Sequence, residues 1–329
     1  MPTVLVTSAA GGVGRPLVRS LTARGVTVRA LVKNDAQALL ARRDGATEVR
    51  VGDMRDVATL EDAMRGADGM YHAAPTQIID EGPIAEHIVD LGTRRGLGHL
   101  VFHSVIHPEI TELPHHTQKE SVEKLLATQS IPTTILRPSH YMQNYLDFWE
   151  FIRGGLMPYP VSTTSPMGVV DVEDVAEAAA AALVAPQEHI GKTYDLSTET
   201  ITREAMAEAF ADALGHRVTA VRLPPTAVVD QAGAAGAVLG GVARAIPSLS
   251  PQRAMHLLRG MRDAPNARGI RSWSPQARDN YVQMMSYYDS HGLPVGDLTH
   301  LPTLLDRAPT SYREFARREV ARRVHGIDR

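Results

Sequence analysis

The strongest constraint on this chain is an alternation that runs from Val4 to Leu136. Short apolar runs bounded by Gly, Pro or Asp are separated by amphipathic stretches of helical period. Residues 4–6, 26–32, 46–51, 69–73, 99–103 and 133–136 read as strands. Residues 16–24, 36–43, 57–64, 83–95 and 118–129 read as helices. Nearly continuous apolar strands are buried on both faces, and a helix between successive strands implies parallel pairing through right-handed crossovers. The expected fold is therefore α/β, a doubly wound parallel sheet of Rossmann type whose ligands bind beyond the carboxyl ends of the strands.

After Arg137 the alternation loosens. Residues 169–183 read as a strand turning into an Ala-rich helix, 193–196 and 218–223 as strands, and 202–214 as a helix capped by Thr202 and stopped by Gly215. The remainder to Arg329 reads as mostly helical. A length of 329 residues exceeds what one ordinary core holds. The sequence predicts a first domain over 1–150, with a segment near 169–197 that can return to its sheet. A smaller, mostly helical lobe over 151–329 is expected to cover the first domain's ligand site.

Composition removes several function classes. Apolar residues make up 43% and charged residues 22%, values that suit a soluble globular chain, and nothing in the net charge of -3 suggests a nucleic-acid partner. The absence of cysteine excludes disulfides, thiolate metal sites and thiol nucleophiles. Met1-Pro2 leads almost directly into an apolar strand, without the features of a secretory leader. The most apolar late stretch, residues 232–243, is shorter than the ~20 residues a membrane span requires. A cytoplasmic protein without a membrane or nucleic-acid partner is expected, and no feature indicates an oligomer.

The first chemical feature is the segment Val6-Thr7-Ser8-Ala9-Ala10-Gly11-Gly12-Val13-Gly14. It follows a strand and opens a helix, the context in which glycine-rich turns bind a diphosphate. Backbone amides from Thr7 to Gly14 and the positive end of the helix dipole face an anion there. Gly11 permits close approach of the cofactor and Gly14 lets helix and strand pack, and Gly12 and Val13 belong to the same candidate cofactor-binding turn. Ser8 stands where the first glycine of the fingerprint usually lies, so it narrows the turn or offers a hydroxyl to phosphate. The alternative is a plain strand-to-helix turn.

The ends of the next strands extend this reading to a nicotinamide dinucleotide. Sites that prefer NAD place an acid near the ribose 2′-hydroxyl, whereas Val32 here leads into Lys33 and Asn34. A cation at that place favours a 2′-phosphate, so NADP (NADPH) is expected ahead of NAD. The other reading of Lys33 is a solvated surface charge, and Arg29 is either an aid or structural. Asp53 is suited either to accept from the adenine amino group, with Met54 over the ring, or to cap the helix beginning at Val57. Ala73, Ala74 and Pro75 leave room for the cofactor to cross the sheet edge.

Residues 7–14, 28–33 and 52–54, with Leu136-Arg137-Pro138, Tyr141-Met142-Gln143-Asn144, Val170-Asp171-Val172-Glu173-Asp174 and the tail at 304–311, resemble the NmrA-like group of atypical short-chain dehydrogenase/reductase proteins. The resemblance spans nearly the whole chain. It implies the Rossmann fold and an NADP(H) site. The group contains reductases, isomerising relatives and redox-sensing regulators that bind NADP without turnover. It also implies roles. In short-chain dehydrogenases a Tyr precedes a Lys by four residues, and the Lys holds the nicotinamide ribose while the phenol passes a proton. Lys119 matches that Lys, but His115 stands in the Tyr position. Ser104 matches the active-site Ser.

His115 or His116 can shuttle a proton if either titrates near neutrality. His103, His107, His115 and His116 cluster in sequence, yet their spacing matches no zinc pattern, and no metal is expected. His107, Tyr141 and Asn144 are candidate substrate residues, and Trp149 and Phe151 read either as lining of an apolar pocket or as packing. The leading expectation is an NADPH-dependent oxidoreductase acting on a small carbonyl, enone or quinone. The alternative is a non-catalytic NADP(H)-sensing regulatory protein.

Overall fold

The computed structural model describes residues 2–245, 249–263, 269–270 and 272–326. The last three residues of the expected helical tail, 327–329, lie outside the described residues. The apolar runs form β1 (Thr3–Val6), β2 (Thr27–Val32), β3 (Glu48–Val51), β4 (Gly69–His72), β5 (His99–His103) and β6 (Thr133–Pro138). Between them lie α1 (Gly14–Ala23), α2 (Asp35–Arg43), α3 (Val57–Met64), α4 (Gly82–Arg95) and α5 (Pro114–Ala127). Helices α6 (Val172–Val184) and α7 (Pro186–His189), strand β7 (Thr193–Leu196) and helix α8 (His300–Leu305) follow. These elements form one compact unit comprising Met1–Ser139, Val172–Ser197 and Gly296–Pro309.

All seven strands are parallel, in the order β7-β6-β5-β4-β1-β2-β3. The direction of winding reverses between β1 and β4, the place where doubly wound sheets open a crevice at their carboxyl edge. Helix α1 packs on α2 and α6, while α4 packs on α3 and α5, so helices flank the sheet on both faces. Leu5, Leu31, Met70, Ile88, Leu100, Phe102 and Val122 form one buried cluster between the sheet and its α3–α5 layer. Burying an aliphatic side chain of this size contributes roughly 1.5–3 kcal/mol, which explains why these unbroken apolar runs take central positions.

The structure corrects two local expectations. The cap of α3 is Asp56, whose Oδ2 accepts from the Thr59 amide at 3.1 Å; Asp53 does not cap it. Helix α5 begins at Pro114 rather than at residue 118. Proline suits the first turn, where its missing N–H would have no partner. The polar His115-His116 pair hides that start from a periodicity reading, and it puts His115 and Lys119 one helical turn apart.

The second unit comprises His140–Asp171, Thr198–Val295 and Thr310–Arg329. It is mostly helical, with helices at Trp149–Gly154, Arg203–Leu214, Gln231–Ala245, Pro251–Asp263, Pro275–His291 and Tyr312–His325. It also carries two small sheets. His140–Tyr141, Met167–Val170 and Glu199–Ile201 form one, and Leu156–Tyr159 pairs in parallel with Thr219–Arg222 in the other. Most of these strands are too short for alternation to announce them. Arg203 is fully buried and donates to the carbonyls of Met157, Tyr159, Val161 and Val221, clamping the paired strands. Among the described residues no helix is long and apolar enough to cross a membrane.

Candidate functional site

The turn between β1 and α1 lies at the reversal point of the sheet. Its conformation follows from close packing. A Cβ at Gly14 would stand 2.3 Å from the Ser8 carbonyl oxygen and 2.8 Å from Ala9 Cα, so only glycine lets α1 start against the turn. A Cβ at Gly11 would meet the same carbonyl at 3.0 Å, whereas one at Gly12 would meet nothing within 4 Å. Val13 is buried, Gly11 and Gly12 are exposed, and no side chain caps α1. Of the amides expected to face an anion, those of Thr7, Ala9 and Gly11 already donate to the carbonyls of Tyr71, Leu31 and Ser8, and the Arg15 amide donates to the Gly11 carbonyl, which leaves the amides of Gly12, Val13 and Gly14 at the start of the helix for an anion.

Ser8 adopts φ of 49°, the left-handed region that glycine enters without the penalty of roughly 1–2 kcal/mol. Its hydroxyl offsets that strain by donating to the Ala73 carbonyl at 2.7 Å. The Ala73 amide in turn donates to Thr7 Oγ1 at 2.9 Å. These bonds fasten the turn to the end of β4 across the crevice, and the Ser8 hydroxyl is already engaged there. Ala74 and Pro75 are half-buried just beyond, and the Pro75 carbonyl closes a turn with the Ile78 amide at 2.9 Å.

Lys33 lies exposed at the end of β2, and Asn34 caps α2 by accepting from the Gln37 amide at 3.0 Å. Asp35 falls in the first turn of α2, where a negative charge faces the helix dipole favourably. Arg29 is structural: its guanidinium donates to Glu48 and to the carbonyls of Ala63 and Arg65 at 2.7–2.8 Å. Asp53, at the end of β3, is gripped by Arg55. That hydrogen bond, helped by the Arg55 amide and by the Lys33 charge, holds the Asp53 carboxyl at about 2. Met54 packs against the core cluster of the unit.

A buried polar cluster occupies the ends of β4 and β5, and most of its members escaped the sequence reading. Lys119 Nζ lies 2.7 Å from Glu81 Oε2 and donates to the His103 carbonyl at 2.9 Å. Both side chains are 3% exposed. The ammonium also stands 5.0 Å from the centre of the Phe102 ring. Glu81 Oε1 lies 3.3 Å from His72 Nε2, and His72 Nδ1 lies 3.2 Å from Thr7 Oγ1. Burial opposes the Glu81 charge, yet Lys119 and His72 bring its carboxyl down to about 2. Tyr71 OH and His103 Nδ1 are hydrogen-bonded at 2.5 Å. Nothing marked Glu81 in the sequence, because it sits in a loop before α4 far from Lys119 in the chain.

Burial and the adjacent Lys119 charge push both His103 and His115 down to about 3. His115 is therefore a neutral imidazole at physiological pH and does not titrate near neutrality as the sequence reading required. Burial also lowers His116 to about 4; its Nδ1 bonds the His107 carbonyl at 2.8 Å. His107, at φ of 50°, lies 3.0 Å from Glu109 through Nδ1. Ser104 is buried and donates to Glu123 at 2.5 Å, and Glu123 is paired with Arg137. The Ser104 proton is thus committed to a carboxylate.

In the second unit, Tyr141 is half-buried, and desolvation raises its phenol above the ordinary tyrosine range. Asn144 Nδ2 lies 3.2 Å from His140 Nε2. Trp149 meets the Phe210 ring edge to face, and Phe151 belongs to the unit's core with Leu156, Val221 and Leu257. Among the described residues, no group of three His, Cys, Asp or Glu side chains is arranged to hold a metal ion.

Comparison with known proteins adds independent findings. The model of the NmrA-like family matches residues 1–241. The (4-alkanoyl-5-oxo-2,5-dihydrofuran-3-yl)methyl phosphate reductase of Streptomyces griseus subsp. griseus is 30% identical over 219 residues, spanning 65% of this chain and 74% of that protein. The NADPH-dependent quinone oxidoreductase QOR2 of Escherichia coli, in complex with NADPH, has a TM-score of 0.65 at 20% identity, covering 95% of this chain and 98% of that one. The negative transcriptional regulator NmrA, in complex with NADP, has a TM-score of 0.65 at 20% identity, covering 99% and 98%. At these identities the structural likenesses establish the fold.

Proposed function

Since the chain belongs to the NmrA-like family, we propose that it binds NADP(H) in preference to NAD(H) and reduces a small carbonyl, enone or quinone. The observation that carries this reading is the β1–α1 turn at the reversal point of the sheet. Gly14 there is forced by packing, while the space beside Gly12 is open. The tip of the turn is thus open on the Gly12 side, where a diphosphate can approach the backbone. Amides of the turn hold the diphosphate, and Lys33 pairs with the 2′-phosphate from its exposed place at the end of β2. Asp53 and Met54 flank the adenine, Ala74 and Pro75 line the crossing, and Lys119 faces the nicotinamide ribose.

Bound NADPH supplies a hydride, and the substrate takes it at an electrophilic carbon or quinone ring. One proton completes the reduction. His115 is neutral and the Ser104 proton is held by Glu123, so neither is its source, and Lys119 with a nearby donor or water supplies it. His107, Tyr141 and Asn144 are the residues we assign to the substrate. Two reductases among the similar proteins support this reading.

The second reading, an NADP(H) sensor, is favoured by one observation: His115, rather than a Tyr, stands four residues before Lys119. The assay is NADPH oxidation, followed by loss of nicotinamide absorbance, with quinones, enones and aldehydes in turn. Turnover with one of these classes is expected. Binding of NADPH without turnover of any class would leave the sensor reading, and absence of binding would remove both.

A further inference from the structure

We propose that Glu81 is a positioning residue that holds the Lys119 ammonium in place at the end of β5, an assignment that rests on the cofactor site proposed above. Lys119 and Glu81 meet at 2.7 Å with each side chain 3% exposed. A buried ammonium without a counter-charge is strongly disfavoured, so the carboxylate is a condition for its presence there. An ammonium has three donors. Glu81 and the His103 carbonyl take two, the second at 2.9 Å, and the geometry leaves one for a ribose hydroxyl.

The other groups around the ammonium add no counter-charge. Phe102 offers a ring face, and His103 and His115 are neutral. Glu81 is thus the one carboxylate that the described contacts place against Lys119. Its second oxygen lies 3.3 Å from His72 Nε2, and His72 Nδ1 lies 3.2 Å from Thr7 Oγ1 at the mouth of the glycine turn. Through β4, Glu81 therefore connects the two ends of the proposed cofactor site.

The test is a double-mutant cycle on NADPH affinity, measured by calorimetry on wild type, Glu81→Gln, Lys119→Met and the double variant. Glu81→Gln is expected to weaken NADPH about tenfold or more, the effect of losing one charge-assisted hydrogen bond. In the Lys119→Met background the same change should have no further effect, and Glu81→Asp should restore part of the affinity. An equal loss from Glu81→Gln in both backgrounds would make Glu81 merely structural and overturn the proposal while leaving the cofactor site intact. Absence of NADPH binding by the wild type would overturn both. If Glu81→Gln fails to fold, Glu81→Asp decides: a loss of NADPH affinity that disappears in the Lys119→Met background supports the proposal, and an equal loss in both backgrounds overturns it.

Discussion

The glycines of the β1–α1 turn separate folding from binding, and two single substitutions test that separation. In Gly14→Ala the new Cβ would stand 2.3 Å from the Ser8 carbonyl oxygen and 2.8 and 2.9 Å from Ala9 Cα and carbonyl carbon. All three neighbours are backbone, so no rotamer change relieves the overlap. Overpacking costs about 1–3 kcal/mol where side chains can move, and the rigid contact here places the loss at about 3 kcal/mol or more. In Gly12→Ala the Cβ meets nothing within 4 Å. Gly12 is not among the glycines of positive φ, so the change narrows the unfolded ensemble without strain and stabilises by about 0.4–1 kcal/mol.

With cofactor present Gly12→Ala falls below the wild type, because its Cβ enters the space a diphosphate needs. At roughly 100 times its Kd, NADPH stabilises a binding protein by about 2.7 kcal/mol. Urea unfolding of both variants and the wild type, with and without NADPH, reads every quantity. Without cofactor Gly12→Ala should be slightly more stable than the wild type, and it should lose the NADPH-dependent gain. Gly14→Ala should be destabilised in both conditions. A Gly12→Ala protein that keeps the full gain, or a Gly14→Ala protein with an unchanged urea midpoint, would refute the reasoning.

Three further outcomes are expected. Lys33→Glu puts a like charge against the 2′-phosphate and should weaken NADPH at least about tenfold more than NADH; equal loss of both, by calorimetry, would show that Lys33 does not read the phosphate. Stability should fall on acidification in two stages. His103 and His115 stand at about 3, below the ordinary value of about 6.5, so the unfolded chain binds the extra protons and stability is lost as pH drops from about 6.5 towards 3. Glu81, at about 2, adds a second loss below about 4. Urea midpoints across pH should show His103→Gln flattening the first stage. Arg203→Lys cannot serve the carbonyls of Met157, Tyr159, Val161 and Val221 together, and should cost about 3 kcal/mol or more in urea unfolding.

By itself the sequence determined the doubly wound sheet and the location of its glycine turn. Both are local matters: unbroken apolar runs demand burial on two faces, and a turn from strand to helix needs small residues at fixed offsets. The strands at His99–His103 and Thr193–Leu196 and the Thr202 cap were legible for the same reason. Only tertiary structure decided what surrounds Lys119. Glu81, His72 and Tyr71 reach it or its neighbours across loops and strands that share no periodicity with α5. Titration behaviour follows desolvation and neighbouring charge in space rather than residue type, so His115 became a neutral imidazole although its side chain ordinarily titrates near neutrality. The start of α5 and the short strands of the second unit were hidden because a few residues carry too little pattern to declare themselves; packing, not propensity, placed them.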